Sequence, residues 1–459
     1  MTWLDLPPGT GFGLACLPFG IFSVQPARGH GSSPSPGGAP RRPLPQPGAA
    51  CRAGVAIGDS VLDVAAVADD LRLPLRDLFA APVLNRFLAA GPPAWSEARE
   101  RITEWLTSPA HRAVVAPRLV PRGEVRLHLP FAVADYVDFY ASRNHAENVG
   151  RIFRPGQPPL PRNWLHMPLG YHGRAGSVVI SGTPVTRPAG QRWEPGAAGP
   201  SYGPSLRLDF EAEVGFVAGV PSRHGEPVPV AEFDRHVFGA CLVNDWSARD
   251  IQAFETVPLG PFLGKAFATS VSGWVVPLDA LRAARTPPPP REVEPPAYLR
   301  EDSDPWGLDL SLTVSINGGL VSRPPFATMY WTPAQLLAHL TSGGAPARTG
   351  DLYASGTVSG PGRDQLGCLL ELSGNGAEPV VLADGSARAF LEDGDEVVIG
   401  ATAPGPGGEV IGFGEVRGRV APAVSRGRSR GTGPPRGRAY QAMPGGMPKA
   451  CCAALCNAL

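Results

Sequence analysis

The sequence predicts a mainly β protein with some α, built as a small N-terminal domain followed by a larger domain of mixed, mainly antiparallel strands. Three observations carry this expectation. The 459 residues exceed what one ordinary core accommodates. From about Val125 the chain becomes a series of short β-rich runs broken by Gly and Pro, the texture of strands joined by turns. Helical periodicity is concentrated ahead of that point.

Taken in order, residues 28–50 (RGHGSSPSPGGAPRRPLPQPGAA) have no apolar periodicity and are expected to be a disordered, flexible insert. Gly54–Val64 alternates around Gly58–Asp59, a hairpin signal. Helical patterns follow near Ala65–Ala90 and Ala94–Thr107. The first domain, a small α/β or β-barrel unit, then comprises residues 1–27 and 51–122. The second, residues 123–424, has strand-like runs at Ser177–Ile180, Glu211–Val217, Gly273–Val276, Leu310–Ile316, Glu396–Ile399 and Val410–Glu415. Arg285–Pro296 (RTPPPPREVEPP) reads as a surface loop, and 425–459 as a disordered tail.

Composition narrows the function classes. A formal net charge of 0 gives no global attraction to nucleic acid. No apolar run is long enough to span a bilayer, and the first 20 residues lack the basic n-region of a signal peptide. Seven Cys, four scattered and three near the C-terminus (Cys451, Cys452, Cys456), make no disulfide framework. A reducing, cytoplasmic setting is expected. The Arg/Gly run of the tail invites a nucleic-acid reading and the final CNAL a prenylation reading. The chain is neutral and Asn457 is not aliphatic, so a solvated tail is expected.

Among 41 basic residues the lysines are Lys265 and Lys449, and Lys265 alone lies in the expected globular part. A chain that uses Arg almost everywhere keeps Lys where a planar guanidinium would not fit, although burial alone can also favour Lys.

Four stretches carry candidate chemistry. In DYVDFYASRNHAENVGRIFR, a helix continuing from Asp138 would put Asp138 and His145, seven apart, on one face beside Tyr140 and Arg154. An imidazole near a carboxylate is material for general base catalysis, and equally for a solvated surface helix. In DFEAEVGFV, Glu211 and Glu213 fall on one side of a strand, where they repel unless solvated or sharing a cation. In CLVNDWSARDIQ, the spacing of Asp245, Arg249 and Gln252 makes one helical stripe or an exposed ion pair. In GDLYASGTVSGPGRDQLGCLLELS, Ser355-Gly356-Thr357 forms a tight turn and Glu371 ends an apolar strand-like run, where an acid needs a partner. Asp138, Glu211, Glu213 and Asp245 offer oxygen ligands without a Cys or His pattern for zinc. Such a set suits Ca²⁺ or Mg²⁺, provided the four converge.

These stretches, with PRNWLHMPLGYHGRAGSVVISGTP (161–184), NDWSARDIQAFETVPLGPFLGKAFATSVS, MYWTPAQLLAH (329–339) and LEDGDEV, resemble the fumarylacetoacetase (fumarylacetoacetate hydrolase) family in order and spacing, from about Thr2 to Ala423. The resemblance implies an SH3-like N-terminal barrel, a β-roll catalytic domain and a homodimer. It implies hydrolysis of 4-fumarylacetoacetate, a β-diketo acid, to fumarate and acetoacetate at the end of tyrosine and phenylalanine catabolism. Carried over by position, His145 is the general base and Glu371 its partner. Asp138, Glu211, Glu213 and Asp245 hold Ca²⁺ or Mg²⁺, with Lys265 and Thr269 at a neighbouring Mg²⁺ position. Arg249, Gln252 and Lys265 stabilise the oxyanion, and Tyr140, Arg154, Gln252 and Thr357 contact substrate.

Three positions depart from the family pattern: Thr256 stands where a substrate-contacting Tyr is usual, Phe254 replaces Trp, and Ser342-Gly343-Gly344 replaces an Asn-Gly turn. The residue at 256 leaves open a related acylpyruvate or β-diketone acid as substrate.

Overall fold

The computed structural model describes residues 2–25, 51–194, 196–301 and 305–424, so the insert and tail expected at 28–50 and 425–459 lie outside the described residues. Residues Met1–Ala423 cluster as one compact unit.

The hairpin signal at Gly54–Val64 is a hairpin of strands Arg52–Ile57 and Ser60–Asp63. Gly58 supplies its turn with a φ of +52°. The long helical stretch expected over Ala65–Ala90 is instead Val64–Asp70, a 3₁₀ turn Pro74–Leu78 and Asn85–Ala89. The first helix stops at Asp70, Arg72 turns the chain with a φ of +54°, and Leu73, ahead of Pro74, is extended as a pre-proline residue prefers. The next helix, Gly91–Thr107, buries Ala98, Ile102, Trp105 and Leu106 on one face.

Among the described residues, 13 strands join in one sheet. Its main path runs Leu119–Pro121, Ser60–Asp63, Arg52–Ile57, Phe19–Val24, Trp274–Pro277, Val237–Asp245, Ala212–Ala218, Leu352–Ala354, Tyr136–Phe139, Gly170–His172. Phe19–Val24 pairs with Trp274–Pro277 at one end and with Val125–His128 at the other. No pairing among the described residues closes the N-terminal strands into a barrel. A second sheet of five strands contains Ser311–Ile316, Glu396–Pro404 and Val410–Ala421. The strand-like runs of the sequence thus appear as strands with small shifts of their ends. Arg285–Pro296 is more firmly held than a surface loop, because Arg291 lies over the Tyr330 and Trp331 rings and donates to Gln335 at 2.6 Å.

Strand register positions the site. Ala354 lies opposite Asp138 in a parallel pair, Asp138 opposite Tyr171, Ala212 opposite Asn244, and Asp245 opposite Thr269. Gly170–His172 is four strands from Val237–Asp245 along the path, roughly 19 Å if the sheet were flat. Yet the Tyr171 hydroxyl donates to Asp245 Oδ2 at 2.6 Å. The sheet therefore curls, and its concave side gathers polar groups from distant strands.

Three local expectations are corrected. Asp138 lies on the strand Tyr136–Phe139, whereas the helix carrying His145 starts at Arg143 behind the Ser142 cap. Likewise Asp245 ends a strand and Arg249 begins the helix Arg249–Glu255. In each case pairing to neighbouring strands overrides helical spacing. Glu371 sits on a helical turn, Leu369–Leu372, rather than at a strand end. Short apolar runs do not distinguish the two by periodicity.

Candidate active site and metal centre

His145 belongs to the first turn of the helix Arg143–Phe153, where the Ser142 hydroxyl accepts from its backbone N–H at 3.3 Å. Its Nδ1 lies 2.7 Å from Glu371 Oε2, both side chains buried. Glu371 also accepts from Asn148 Nδ2 at 2.8 Å, Ser359 Oγ at 2.8 Å and Cys368 Sγ at 3.2 Å. Burial opposes its ionisation, but the charge and hydrogen bond of His145, with the Asn148 and Ser359 bonds, hold the carboxyl below its ordinary value. An ionised Glu371 fixes the imidazole through Nδ1 and leaves Nε2 as the atom that can take a proton.

Lys265 follows the VPLGPFLG loop and is buried. Its Nζ donates to Asp245 Oδ2 at 2.8 Å and to Glu211 Oε2. The opposite oxygen of Glu211 pairs with Arg249 Nη1 at 2.7 Å, and Arg249 Nη1 donates to Gln252 Oε1 at 3.3 Å. Thr269 Oγ1 donates to Asp245 Oδ1 at 2.9 Å. Arg249, Gln252, Lys265 and Thr269 are thus joined through two carboxylates. Burial opposes the charge on Lys265, and Asp245 and Glu211 more than offset it, raising its affinity for the proton. For Glu211, burial is outweighed by Lys265 and Arg249, and its carboxyl is held down.

Asp138, Glu211 and Asp245 place one carboxylate oxygen each within 4.8 Å of one another. Glu213 is fully buried beside them, its carboxyl set against that of Asp138, and neither its oxygens nor Asp138 Oδ1 meet a donor group of another residue type. Burial pushes both carboxyls well above their ordinary values, reinforced by Asp245 for Asp138 and by Asp138 and Glu211 for Glu213. Buried acid oxygens are costly without a counter-charge. An all-oxygen acidic donor set fits a hard divalent cation. The second cluster of possible ligands, His145, Cys368 and Glu371, is occupied by its own hydrogen bonds.

The substrate-contact candidates are less tightly knit. Tyr140 packs edge-on to His145 with ring centroids 5.3 Å apart. Burial and the charge of Glu371 raise its phenol, against the pull of Arg154. Arg154 Nη2 donates to the Pro159 carbonyl at 2.7 Å. Thr357 is buried with its hydroxyl unpartnered, just after Gly356. Gly356 has a φ of +77°, and a Cβ there would meet the Phe139 carbonyl at 2.1 Å. Thr256 follows the Arg249–Glu255 helix, and its hydroxyl donates to the Gln252 carbonyl at 2.6 Å.

Sequence reading missed Asn148, Asp209, Tyr171, Ser359 and Cys368. Asn148 is one helical turn from His145, a spacing that predicts a shared face. Tyr171 and Asp209 lie inside the YHGR and LDFEAE motifs already singled out. Cys368 is three residues ahead of Glu371, on the same helical turn, whereas nothing local in the sequence marks Ser359.

Comparison with known proteins bears directly on this arrangement. Residues 43–130 match the "Fumarylacetoacetase N-terminal" family model and 135–421 the "Fumarylacetoacetate (FAA) hydrolase C-terminal" model. The chain is 42% identical to the fumarylacetoacetase of Homo sapiens over 92% of its length and 99% of that protein. It is also 42% identical to that of Caenorhabditis elegans, over 92% of this chain and 99% of the relative. The solved fumarylacetoacetate hydrolase of Exiguobacterium antarcticum is 17% identical, with a TM-score of 0.48 over 88% of this chain and 99% of that one. The second family model runs through every residue of the buried acid cluster and the His145–Glu371 pair, and the chain belongs to the fumarylacetoacetate hydrolase family.

Proposed function

We propose that the protein hydrolyses the carbon–carbon bond of 4-fumarylacetoacetate to fumarate and acetoacetate, the closing step of tyrosine and phenylalanine breakdown. The observation that supports this best is the meeting of a buried His145–Glu371 pair, a buried ammonium and a cluster of acids within one curled sheet, in a chain 42% identical to a fumarylacetoacetase.

In this reading His145 Nε2 takes a proton from water as it attacks the ketone, and Glu371 stabilises the imidazolium. Arg249, Gln252 and Lys265 donate to the oxyanion that develops, a role typically worth about 3–4 kcal/mol per donor. Asp138, Glu211, Glu213 and Asp245 would hold the cation, Ca²⁺ or Mg²⁺, with Lys265 and Thr269 alongside through Asp245. When bound, such an ion would supply positive charge opposite the charge that develops on the departing acetoacetate. Collapse of the oxyanion breaks the carbon–carbon bond, and the proton that the departing carbon takes up balances the one His145 removed from water. Tyr140, Arg154, Gln252 and Thr357 orient the substrate.

The same reading assigns residues 1–27 and 51–122 to an SH3-like N-terminal domain and 123–424 to a β-roll catalytic domain. It makes the protein a cytoplasmic homodimer without nucleic-acid or membrane partners. No helix among the described residues is long and apolar enough to cross a membrane. Val257, Leu259, Phe262 and Leu263 are exposed on one loop, which supports cover by a second copy.

A related acylpyruvate or β-diketone acid is the second reading, favoured by Thr256, whose short side chain spends its hydroxyl on the helix end. A non-enzymatic module acting through the Arg/Gly-rich tail, by binding RNA or a membrane, rests on residues outside the described ones. Deleting 425–459 separates it from the others, since retained turnover would sink it. Purified protein with Ca²⁺ or Mg²⁺ is expected to release fumarate from fumarylacetoacetate. Absence of fumarate with a competent metal-loaded enzyme refutes the first reading, and faster turnover of acylpyruvates selects the second.

A further inference from the structure

Asp209 is fully buried two residues ahead of Glu211, and each oxygen of its carboxylate accepts two hydrogen bonds. Oδ1 accepts from the backbone N–H of Phe210 at 2.8 Å and of Leu369 at 2.7 Å. Oδ2 accepts from the N–H of Leu370 at 3.0 Å and from Arg249 Nε at 2.9 Å, and Arg249 Nη2 lies at ion-pair distance, 2.9 Å, without a hydrogen bond. One carboxylate therefore grips two separate parts of the site. The first is the guanidinium whose remaining arm reaches Glu211 and Gln252. The second is the helical turn Leu369–Leu372, which carries Glu371.

That turn has only four residues and no side-chain cap from its own N-cap residue, Cys368. Its first N–H groups, on the buried Leu369 and Leu370, would lack acceptors if Asp209 were absent. The guanidinium, held through Nη1 by Glu211 and Gln252, is fixed on its Nε side by Asp209. A carboxylate meets both needs because both of its oxygens accept; an amide would present N–H₂ to one pair of donors.

We infer that Asp209 is a positioning residue that ties the Arg249 guanidinium to the turn bearing Glu371, and so fixes the spacing between the cationic, oxyanion-facing group and the proton-accepting pair. Its catalytic consequence rests on the hydrolase reading above. Its structural core, the coupling of Arg249 to the His145–Glu371 pair through Asp209, does not.

The test uses the metal-loaded full chain carrying Asp209→Asn. The expected result is a fall in kcat of about 100-fold with KM nearly unchanged, the size that a misplacement of about 1 Å produces. Arg249→Lys and Glu371→Gln, each alone and each combined with Asp209→Asn, complete two cycles. A shared positioning role predicts that each second change adds little to the first. Fully additive losses, or an unchanged kcat, overturn the inference. With ¹⁵N-histidine labelling, the Nδ1–H resonance of His145 should move in Asp209→Asn. It should stay in place in Asp63→Asn, which removes the buried charge partner of Arg52 on the N-terminal segment and controls for general destabilisation. An unmoved resonance in Asp209→Asn overturns the inference even if the wild type fails to cleave fumarylacetoacetate, an outcome that would refute the hydrolase reading by itself. Should Asp209→Asn not fold, Arg249→Lys read by the same resonance carries the test: movement supports transmission through Asp209, and an unmoved signal sinks it.

Discussion

The ammonium of Lys265 lies 2.8 Å from Oδ2 of Asp245, both side chains buried, and the same nitrogen donates to Glu211. The one lysine of the described structure thus bridges two acids of the metal-fitting cluster. Lys265→Arg, although charge-conserving, is expected to lower kcat/KM by at least about tenfold, because a planar fork cannot replace a compact ammonium between two carboxylates. Lys265→Met leaves buried acids uncompensated and should cost roughly 3–5 kcal/mol of stability. Steady-state rates and urea unfolding measure the two effects; an Arg variant with wild-type turnover would remove the special role of lysine.

The His145–Glu371 pair makes a second prediction. His145→Ala should abolish turnover with folding intact, and Glu371→Gln should lower kcat by about 10²–10⁴-fold, the range of general base catalysis. The pH dependence follows from the depressed carboxyl of Glu371. Its folded value lies below the ordinary 4.5, so its stabilising contribution is complete above 4.5 and is lost as pH falls through the lower folded value. Melting temperatures of wild type and Glu371→Gln should converge in that acidic window. Parallel curves down to the lowest pH would contradict the depressed value.

Metal loading should be visible without any substrate. Chelation by EDTA is expected to lower the melting temperature, and Ca²⁺ or Mg²⁺ to restore it, since free ion at about 100 times its Kd stabilises by about 2.7 kcal/mol. Glu213→Gln should weaken ion binding by about tenfold or more in a calorimetric titration. Unchanged affinity would exclude the buried carboxylate of Glu213 from the metal shell.

Substrate choice is tested at position 256. Thr256→Tyr restores a ring and a long-reach hydroxyl, and the ratio of kcat/KM for fumarylacetoacetate over a simple acylpyruvate should rise roughly tenfold or more, the scale of one added pocket contact. A ratio that stays constant would show that this position does not discriminate between the two acids.

Much of the strand content was legible because it depends on local signals. The hairpin at Gly58, the helix Gly91–Thr107 and the runs that became Ser311–Ile316 and Glu396–Pro404 all follow from period and turn chemistry. What the residues alone could not convey was long-range: that Asp138 pairs beside Tyr171, or that the sheet curls enough for Tyr171 to reach Asp245. The candidate residues themselves came from charged groups in apolar contexts and from motif resemblance. Their supports did not: Ser359 lies twelve residues from Glu371 and meets it through packing, and Cys368 reaches it only because Leu369–Leu372 turns as a helix, where the apolar run reads as a strand. The two mistaken helical stripes, Asp138–His145 and Asp245–Gln252, share one cause. Each begins on a strand whose pairing partners lie far away in sequence, and no local pattern reports them.

The pocket draws its members from positions as separate as Asp138 and Glu371, joined through pairings such as Ala354 opposite Asp138. During synthesis, a growing chain that has emerged only as far as Asp245 already carries the acids, but lacks the glutamate that completes the histidine pair. Loop closure over such separations is entropically expensive and slow. Because Leu352–Ala354 also seats the strand of Asp138 beside that of Glu213, competence to bind the ion and competence to move a proton should both wait until the nascent polypeptide has grown past that strand.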